Sequence, residues 1–340
     1  MDLTTRYLGL ELEHPLAPSA SPLTGNLGSL KALEDCGASM VVLHSLFEEQ
    51  IEHDAQASEH FRELGTDSFS ESLSYFPDSG ELDHGVDEYL NLVRKAKESL
   101  SIPVIASLNG TQTGGWTESA KQIEEAGADA LELNVYFIAT SLDDAGDAVE
   151  KRYVDILKSV KSTIRIPVTV KLSPYFSSLG HLARQLVEAG AGGLALFNRP
   201  YLPDIQIEEL EHQPHLTLSG SNDLRLPLHW LSILHGRIPC DLAATSGIHT
   251  VEDVVKAIMA GASVTHLCSA LLKNGPGLLG KLKSGLITWL EEHEYDSLEQ
   301  MLGSMSLINC PDPSALERAS YMKTLYSWKP QNTAGPAEKI

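Results

Sequence analysis

Asn134, Lys171 and Asn198 end or nearly end three apolar segments of strand length, and their types suit the capture of a small polar ligand. Two carboxamides are costly to bury unless a cofactor, a substrate or water satisfies them, and so is a lysine without an anionic partner. The alternatives are a rim lysine in a salt bridge and asparagines that end strands for turn reasons. Further on, two small-residue turns, Thr245–Gly247 and Ser269-Ala270, each follow an apolar segment. Backbone N–H groups at paired turns of this kind form a pocket for an anion. In a (β/α)8 barrel that pocket holds a phosphate, after strands seven and eight. The chemistry suggested is phosphate capture beside a polar mouth.

These residues need a scaffold that brings strand ends together. Apolar strand segments fall at Leu16–Ser19, Met40–His44, Val104–Leu108, Ala130–Asn134, Val168–Leu172, Leu194–Phe197, Asp241–Ala244 and Val264–Cys268. Helical patterns alternate with them at Gly28–Cys36, Val86–Leu100, Glu118–Ala126, Ala148–Ser162, His181–Ala189, Leu228–His235, Val251–Ala260 and Leu278–His293. Alternation of this kind means parallel strands with crossover helices, and eight units predict an α/β protein, a closed (β/α)8 TIM barrel. A doubly wound sheet is the alternative, but the glycine-rich turn that usually follows its first strand is missing. Cys36-Gly37-Ala38-Ser39, Ala126-Gly127-Ala128-Asp129, Ala189-Gly190-Ala191-Gly192 and Ala260-Gly261-Ala262-Ser263 recur at helix-to-strand junctions, as a repeated βα unit with a left-handed helix end requires. Long insertions follow strand two (Phe47–Gly85) and strand six (Arg199–Asp223), on the face where barrel enzymes keep their sites. A single domain is expected over residues 1–329, with a frayed tail at Pro330–Ile340.

The charge restricts the partners. Lys and Arg total 25 against 46 Asp and Glu, a net charge of −21, which repels phosphate backbones and argues against nucleic acid. The cysteines Cys36, Cys240, Cys268 and Cys310 have no metal or disulfide spacing, which predicts reduced thiols and a cytoplasmic location. No apolar run is long enough to span a membrane, and the N-terminus lacks the pattern of a signal peptide. Glu211-His212-Gln213-Pro214-His215 offers two imidazoles, but its proline spoils helical geometry and no further ligand is evident, so no metal is expected.

Several motifs, in order and spacing, carry a resemblance. They are Leu8-Gly9-Leu10-Glu11-Leu12 before His14-Pro15, Leu131-Glu132-Leu133-Asn134, and Val170-Lys171-Leu172-Ser173-Pro174-Tyr175-Phe176. Ala189–Asn198, Thr245-Ser246-Gly247-Ile248 and Ser269-Ala270-Leu271 before Gly275-Pro276 follow. Over Thr5 to Ser306 the chain resembles the dihydroorotate dehydrogenase family of FMN-dependent barrels, especially its soluble single-subunit class. The resemblance implies a flavoprotein oxidoreductase of pyrimidine biosynthesis type, acting on CH–CH groups, with a homodimeric habit. It implies that Lys171 contacts the flavin, where a cation beside the N1–O2 edge favours the reduced form. Ser246, Gly247, Cys268 and Ser269 match the phosphate turns, although the family favours glycine at the positions of Ser246 and Cys268. Ser19, Ala20 and Ser21 match the segment along the flavin, and Asn109 and Asn134 are further cofactor contacts. Asn134, Asn198 and His44 are the implied substrate contacts.

The catalytic side departs from the family. Orotate-forming members continue as Asn-x-Ser-Cys-Pro-Asn, whose cysteine removes a proton, whereas this chain reads Asn134-Val135-Tyr136-Phe137-Ile138-Ala139. Phe137 stands at the place of the base and accepts no proton. Ala139 replaces a substrate-binding asparagine, His44 replaces a lysine, and no asparagine occurs near Ser72–Pro77. Loss of these partners should cost orotate several hydrogen bonds. Tyr136 and His44 are the remaining candidates for acid–base work, with an aromatic wall and a structural histidine as the alternatives. Two other readings are an FMN barrel acting on tRNA uridines, which the charge opposes, and a non-catalytic flavin-binding relative.

Overall fold

The computed structural model describes residues 1–51, 85–110, 116–199, 203–213, 216–316 and 320–327. Eight parallel strands form one sheet: β3 (Leu16–Pro18), β4 (Val41–Phe47), β5 (Val104–Gly110), β6 (Ala130–Val135), β7 (Val168–Leu172), β8 (Gly193–Leu196), β11 (Asp241–Thr245) and β12 (Val264–Leu267). Each pairs with the next in the ring, in the order β3-β12-β11-β8-β7-β6-β5-β4. The backbone N–H of Ser39 donates to the carbonyl of Leu16 at 3.2 Å, so the two ends of this order meet and the sheet closes into a (β/α)8 barrel. The expected strands are thus all present, Val168–Leu172 unchanged at both ends and the others with at least one end shifted, by no more than three residues.

The helices lie outside, with their apolar stripes inward. Val251–Ala260 shows how the sequence sets one: Val254, Val255, Ala257 and Ile258 are buried, and Thr250 Oγ1 accepts from the Asp253 N–H at 3.3 Å as its N-cap. The glycines of the four recurring junctions, Gly37, Gly127, Gly190 and Gly261, all take positive φ, as a left-handed helix end requires. The helix after β8 starts earlier than the periodicity suggested, at Arg225–Leu234, with Pro227 tolerated in its first turn. No helix among the described residues is long and apolar enough to cross a membrane.

A short hairpin accounts for the Leu8-Gly9-Leu10-Glu11-Leu12 motif. Strands β1 (Thr5–Tyr7) and β2 (Leu10–Leu12) pair antiparallel through Leu8 and Gly9, both at positive φ, as a two-residue hairpin turn demands. Tyr7, Leu8 and Leu12 enter the lower barrel and pack on Ala17, Val42, Ile105 and Ala130. The Tyr7 hydroxyl donates to Thr169 Oγ1 at 2.9 Å, which satisfies its polar end inside the core. One end of the barrel is therefore plugged, and the mouth lies at the C-terminal ends of the strands.

The insertion after strand six contains a small exposed hairpin, β9 (Asp204–Gln206) with β10 (Glu211–Gln213), and a 3-10 turn at Ser221–Leu224. His212 lies on exposed β10, while residue 215 is outside the described residues. The insertion after strand two falls largely on residues 52–84, and the expected tail on 330–340; both lie outside the described residues.

Candidate active site

Strand register places the polar residues in rows. Asn109 on β5 pairs with Asn134 on β6, and Asn134 with Lys171 on β7. Because side chains alternate between faces, the residues two positions earlier share the inward face. Ser107 and Glu132 occupy that deeper row, in register with one another. Asn134 and Lys171 are both buried. Asn198 Nδ2 donates to Asn134 Oδ1 at 2.8 Å, so the two asparagines reach across β7 and meet.

Beneath them is a charged centre. Lys171 Nζ lies 3.4 Å from Glu132 Oε1, and Glu132 Oε2 lies 3.8 Å from His266 Nδ1 on β12. Glu132 is fully enclosed and Lys171 is 7% exposed, so the pair is largely desolvated. Glu132 Oε2 and both ring nitrogens of His266 have no hydrogen-bond partner among the described residues. Burial pushes the His266 imidazole down to about 4, with Glu132 pulling it upward and Lys171 adding to the fall, so it is neutral at pH 7.

That depression makes a pH prediction. The unfolded histidine titrates near 6.5, so below that pH the unfolded chain binds a proton that the folded chain refuses. His14, held near 4 chiefly by burial, acts in the same direction. Stability should be complete above pH ~6.5 and fall progressively toward pH 4, by up to a few kcal/mol. Denaturant midpoints measured across that range in the wild type and in His266→Gln check it: the variant should show the shallower decline, and equal slopes would count against the assignment.

The turns after β11 and β12 build the second half of the site. Ser246 and Gly247 both take positive φ, and a Cβ on Gly247 would lie 2.3 Å from the Leu224 nitrogen, which excludes any larger residue there. Ser219 ties the loops together. Its N–H donates to Ser269 Oγ at 3.1 Å, its carbonyl accepts from Lys273 Nζ at 2.8 Å, and its hydroxyl stands 3.3 Å from His249 Nε2. Asp253 Oδ2 accepts from the Ser221 hydroxyl at 2.7 Å and from the His249 N–H at 3.0 Å, which pins the same loop to the helix after β11. Ser19, Ala20, Lys171, Asn198, Arg199, Ser246, Cys268 and Ser269 line one pocket with Ser219 and His266. Burial raises the Cys268 thiol, so it is a small neutral wall and not a thiolate.

The pocket suits an anionic group. Serine hydroxyls at Ser219, Ser246 and Ser269, the tight Ser246-Gly247 backbone and buried Lys171 supply donors for an anionic group. The unpartnered atoms of Glu132 and His266 lie directly under the mouth, where a polar ring edge or water would satisfy them. The donor set therefore fits the phosphate end of FMN.

Several expected residues lie elsewhere. His44 does not enter the mouth. The register between β4 and β5 slips between Val42 and Ser45, and this bulge brings Ser45 inward, its hydroxyl 2.9 Å from that of Ser107. His44 is turned to the outer face, edge-on to Tyr89 of the helix Val86–Ser99 at 5.1 Å. Ser21 belongs to a 3-10 turn, its N–H donating to Thr24 Oγ1 at 3.1 Å. Phe137 is held under the Arg152 guanidinium, 3.8 Å from the ring centre, on the helix Gly146–Lys161. Tyr136 is half-buried, and its N–H donates to the carbonyl of Gly110 at 3.3 Å. Asn109 borders a side space with Glu48, Ile51 and Trp116. Glu132, His266, Ser219 and Arg199 were not singled out from the sequence. A charge inside the apolar run Leu131–Leu133, two residues before Asn134, was the available signal for Glu132.

The family model described as dihydroorotate dehydrogenase matches residues 70–290. A protein of Aeropyrum pernix, named putative dihydroorotate dehydrogenase A (fumarate), is 31% identical over 64% of this chain and 72% of its own length. The dihydroorotate dehydrogenase B (NAD(+)) catalytic subunit of Thermoplasma acidophilum is 28% identical over 89% of this chain and 98% of its own. The NAD-dependent dihydropyrimidine dehydrogenase subunit PreA of Escherichia coli is 25% identical over 65% of this chain, which spans 57% of that protein.

Proposed function

This chain belongs to the dihydroorotate dehydrogenase family, and we propose that it is an FMN-dependent oxidoreductase acting on a CH–CH bond of a small substrate other than dihydroorotate. The observation that carries this reading is buried Lys171, set between the Asn134–Asn198 pair and the serine-lined turns. The names of the relatives, which speak of dihydroorotate and of a dihydropyrimidine, support the class of bond. FMN, when bound, supplies the hydride-accepting ring. The residues of this chain do the rest. Ser246 and Ser269 hold the phosphate end, and Lys171 offers positive charge to the ring edge that gains electrons. Glu132 keeps that lysine in place from below. Asn134 and Asn198 hold the substrate by its polar edge, with Tyr136 as a wall. Phe137 supplies no base, so a substrate whose oxidation needs no strong base at that point is favoured.

The visible spectrum of the purified protein tests the flavin. The wild type should be yellow with bound FMN, and Ser246→Asp should lose most of it. Aspartate tolerates the positive φ of Ser246 better than most residues, so the substitution mainly adds a carboxylate against the phosphate. Full flavin occupancy in Ser246→Asp would move the phosphate elsewhere. A second reading, a flavin-binding relative without turnover, draws on Phe137 packed under Arg152. Failure of every small CH–CH donor to bleach the bound flavin under anaerobic conditions would favour it.

A further inference from the structure

The ion pair beneath the mouth is held loosely. Elsewhere in the barrel Lys97 Nζ lies 2.7 and 2.6 Å from the two oxygens of Asp129, at full charge-assisted contact, although both side chains are partly exposed. Lys171 is far more deeply buried, yet its Nζ stands 3.4 Å from Glu132 Oε1, its one hydrogen-bond partner among the described residues. An ammonium carries three donors, and Lys171 also lines the pocket at the mouth, so two N–H groups remain for an occupant. Glu132 is short of partners too. Ser107 Oγ reaches its Oε1 only at 3.5 Å, and Oε2 has no partner among the described residues. Thr169, next in register on β7, accepts from the Tyr7 hydroxyl instead. The imidazole of His266, 3.8 Å from Oε2, is neutral at pH 7. Among the described residues Lys171 is therefore the only cation that meets this carboxylate, and no solvent screens the two.

We propose that Glu132 is a positioning residue that holds down the reduction potential of the bound flavin, by sharing Lys171 with the ring edge that gains charge. The proposal rests on the flavoenzyme reading above and adds to it the group that limits how strongly the lysine acts. Reduction carries a hydride, two electrons and one proton, from a substrate C–H bond to the ring, while the proton on the adjoining carbon passes to water. One negative charge stays on the ring, and it competes with Glu132 for the ammonium. A carboxylate fixed under the mouth opposes that gain of charge. The neutral His266 leaves this opposition intact, where a second cation would cancel it.

Anaerobic titration of the flavin-free protein with oxidised and with reduced FMN tests this, and a dye-equilibrated reduction of the loaded protein gives the potential directly. Glu132→Gln keeps an acceptor for Lys171 and removes the charge. Its preference for reduced over oxidised FMN should exceed that of the wild type by about 10- to 100-fold. That raises the potential by about 30–60 mV, since tenfold corresponds to about 30 mV for two electrons. Glu132→Asp keeps the charge and should stay near the wild-type preference. A side chain that merely props the barrel would weaken both forms of FMN alike, so an unchanged preference in Glu132→Gln overturns the proposal, and so does a fall. The wild type gives a second reading that stands even where Glu132→Gln does not fold. Its redox difference infrared spectrum should contain a perturbed carboxylate stretch, as Glu132 loses part of its hold on Lys171, and the band should move in Glu132→Asp. A spectrum without that band, or a band that Glu132→Asp leaves in place, would also overturn the proposal. A wild-type protein that takes up no FMN, by contrast, defeats the flavin reading itself.

Discussion

Dihydroorotate should be turned over at least ~10²–10⁴-fold more slowly by this protein than by a relative that carries the cysteine base, since a positioned base contributes about that factor. The proposed reason lies in the segment after β6, where the family resemblance sets Phe137 at the place of the base and the structure holds its ring under Arg152. The Phe137 ring accepts no proton, and Tyr136, the neighbouring candidate, is half-buried with its backbone tied to Gly110. Phe137→Cys alone should restore little, because the resemblance also sets Ala139 at the place of a substrate-binding asparagine. Orotate formation followed by its ultraviolet absorbance measures both. Rapid orotate production by the wild type at neutral pH would sink the proposal that the substrate is something else.

Glu132→Ala should cost about 3–5 kcal/mol of stability, the usual result of leaving one member of a buried ion pair alone. Lys171 would then lie in the barrel without its carboxylate, next to an imidazole that cannot accept its charge cheaply. The same variant should bind FMN poorly, since the lysine would move toward solvent. Replacing both members, Glu132→Leu with Lys171→Met, should recover much of the stability and none of the flavin affinity, because a well-packed apolar pair has no desolvation cost to repay. Urea midpoints and flavin content, read on the two single variants and the double, separate the effects. Additive losses in the double variant would show that the two side chains do not act as a pair.

The architecture, and several of the residues that line the candidate pocket, were legible in the chain alone. Eight apolar segments, helical stripes between them and a glycine at four junctions define a closed barrel, because each follows from local rules of period and turn geometry. The same holds for the serine turns after β11 and β12, whose small residues and glycine mark a backbone that must turn tightly. The hairpin β1–β2 was harder to read, since three-residue strands carry little period; its plug role depends on Tyr7 finding Thr169, 162 positions away. Asn134 and Asn198 were predictable as strand ends, but not that they would bond each other across β7, which depends on barrel curvature.

What the sequence by itself determined, then, is the set of strands and the face each regular residue presents, for alternation along a strand is a property of the backbone. Only the tertiary structure decided what happens where regularity breaks or where distant strands converge. His44 reads as an inward strand end, and a bulge between Val42 and Ser45 turns it outward, because one extra residue reverses the faces beyond it. Lys171 reads as a cation awaiting a ligand, and closure of the sheet brings Glu132 and His266 to it from β6 and β12. Arg199 reads as one loop residue among many, and only the tertiary structure sets it between two cavities and beside Asp223. Such juxtapositions come from the radius and stagger of the closed barrel, which no stretch of the chain encodes locally.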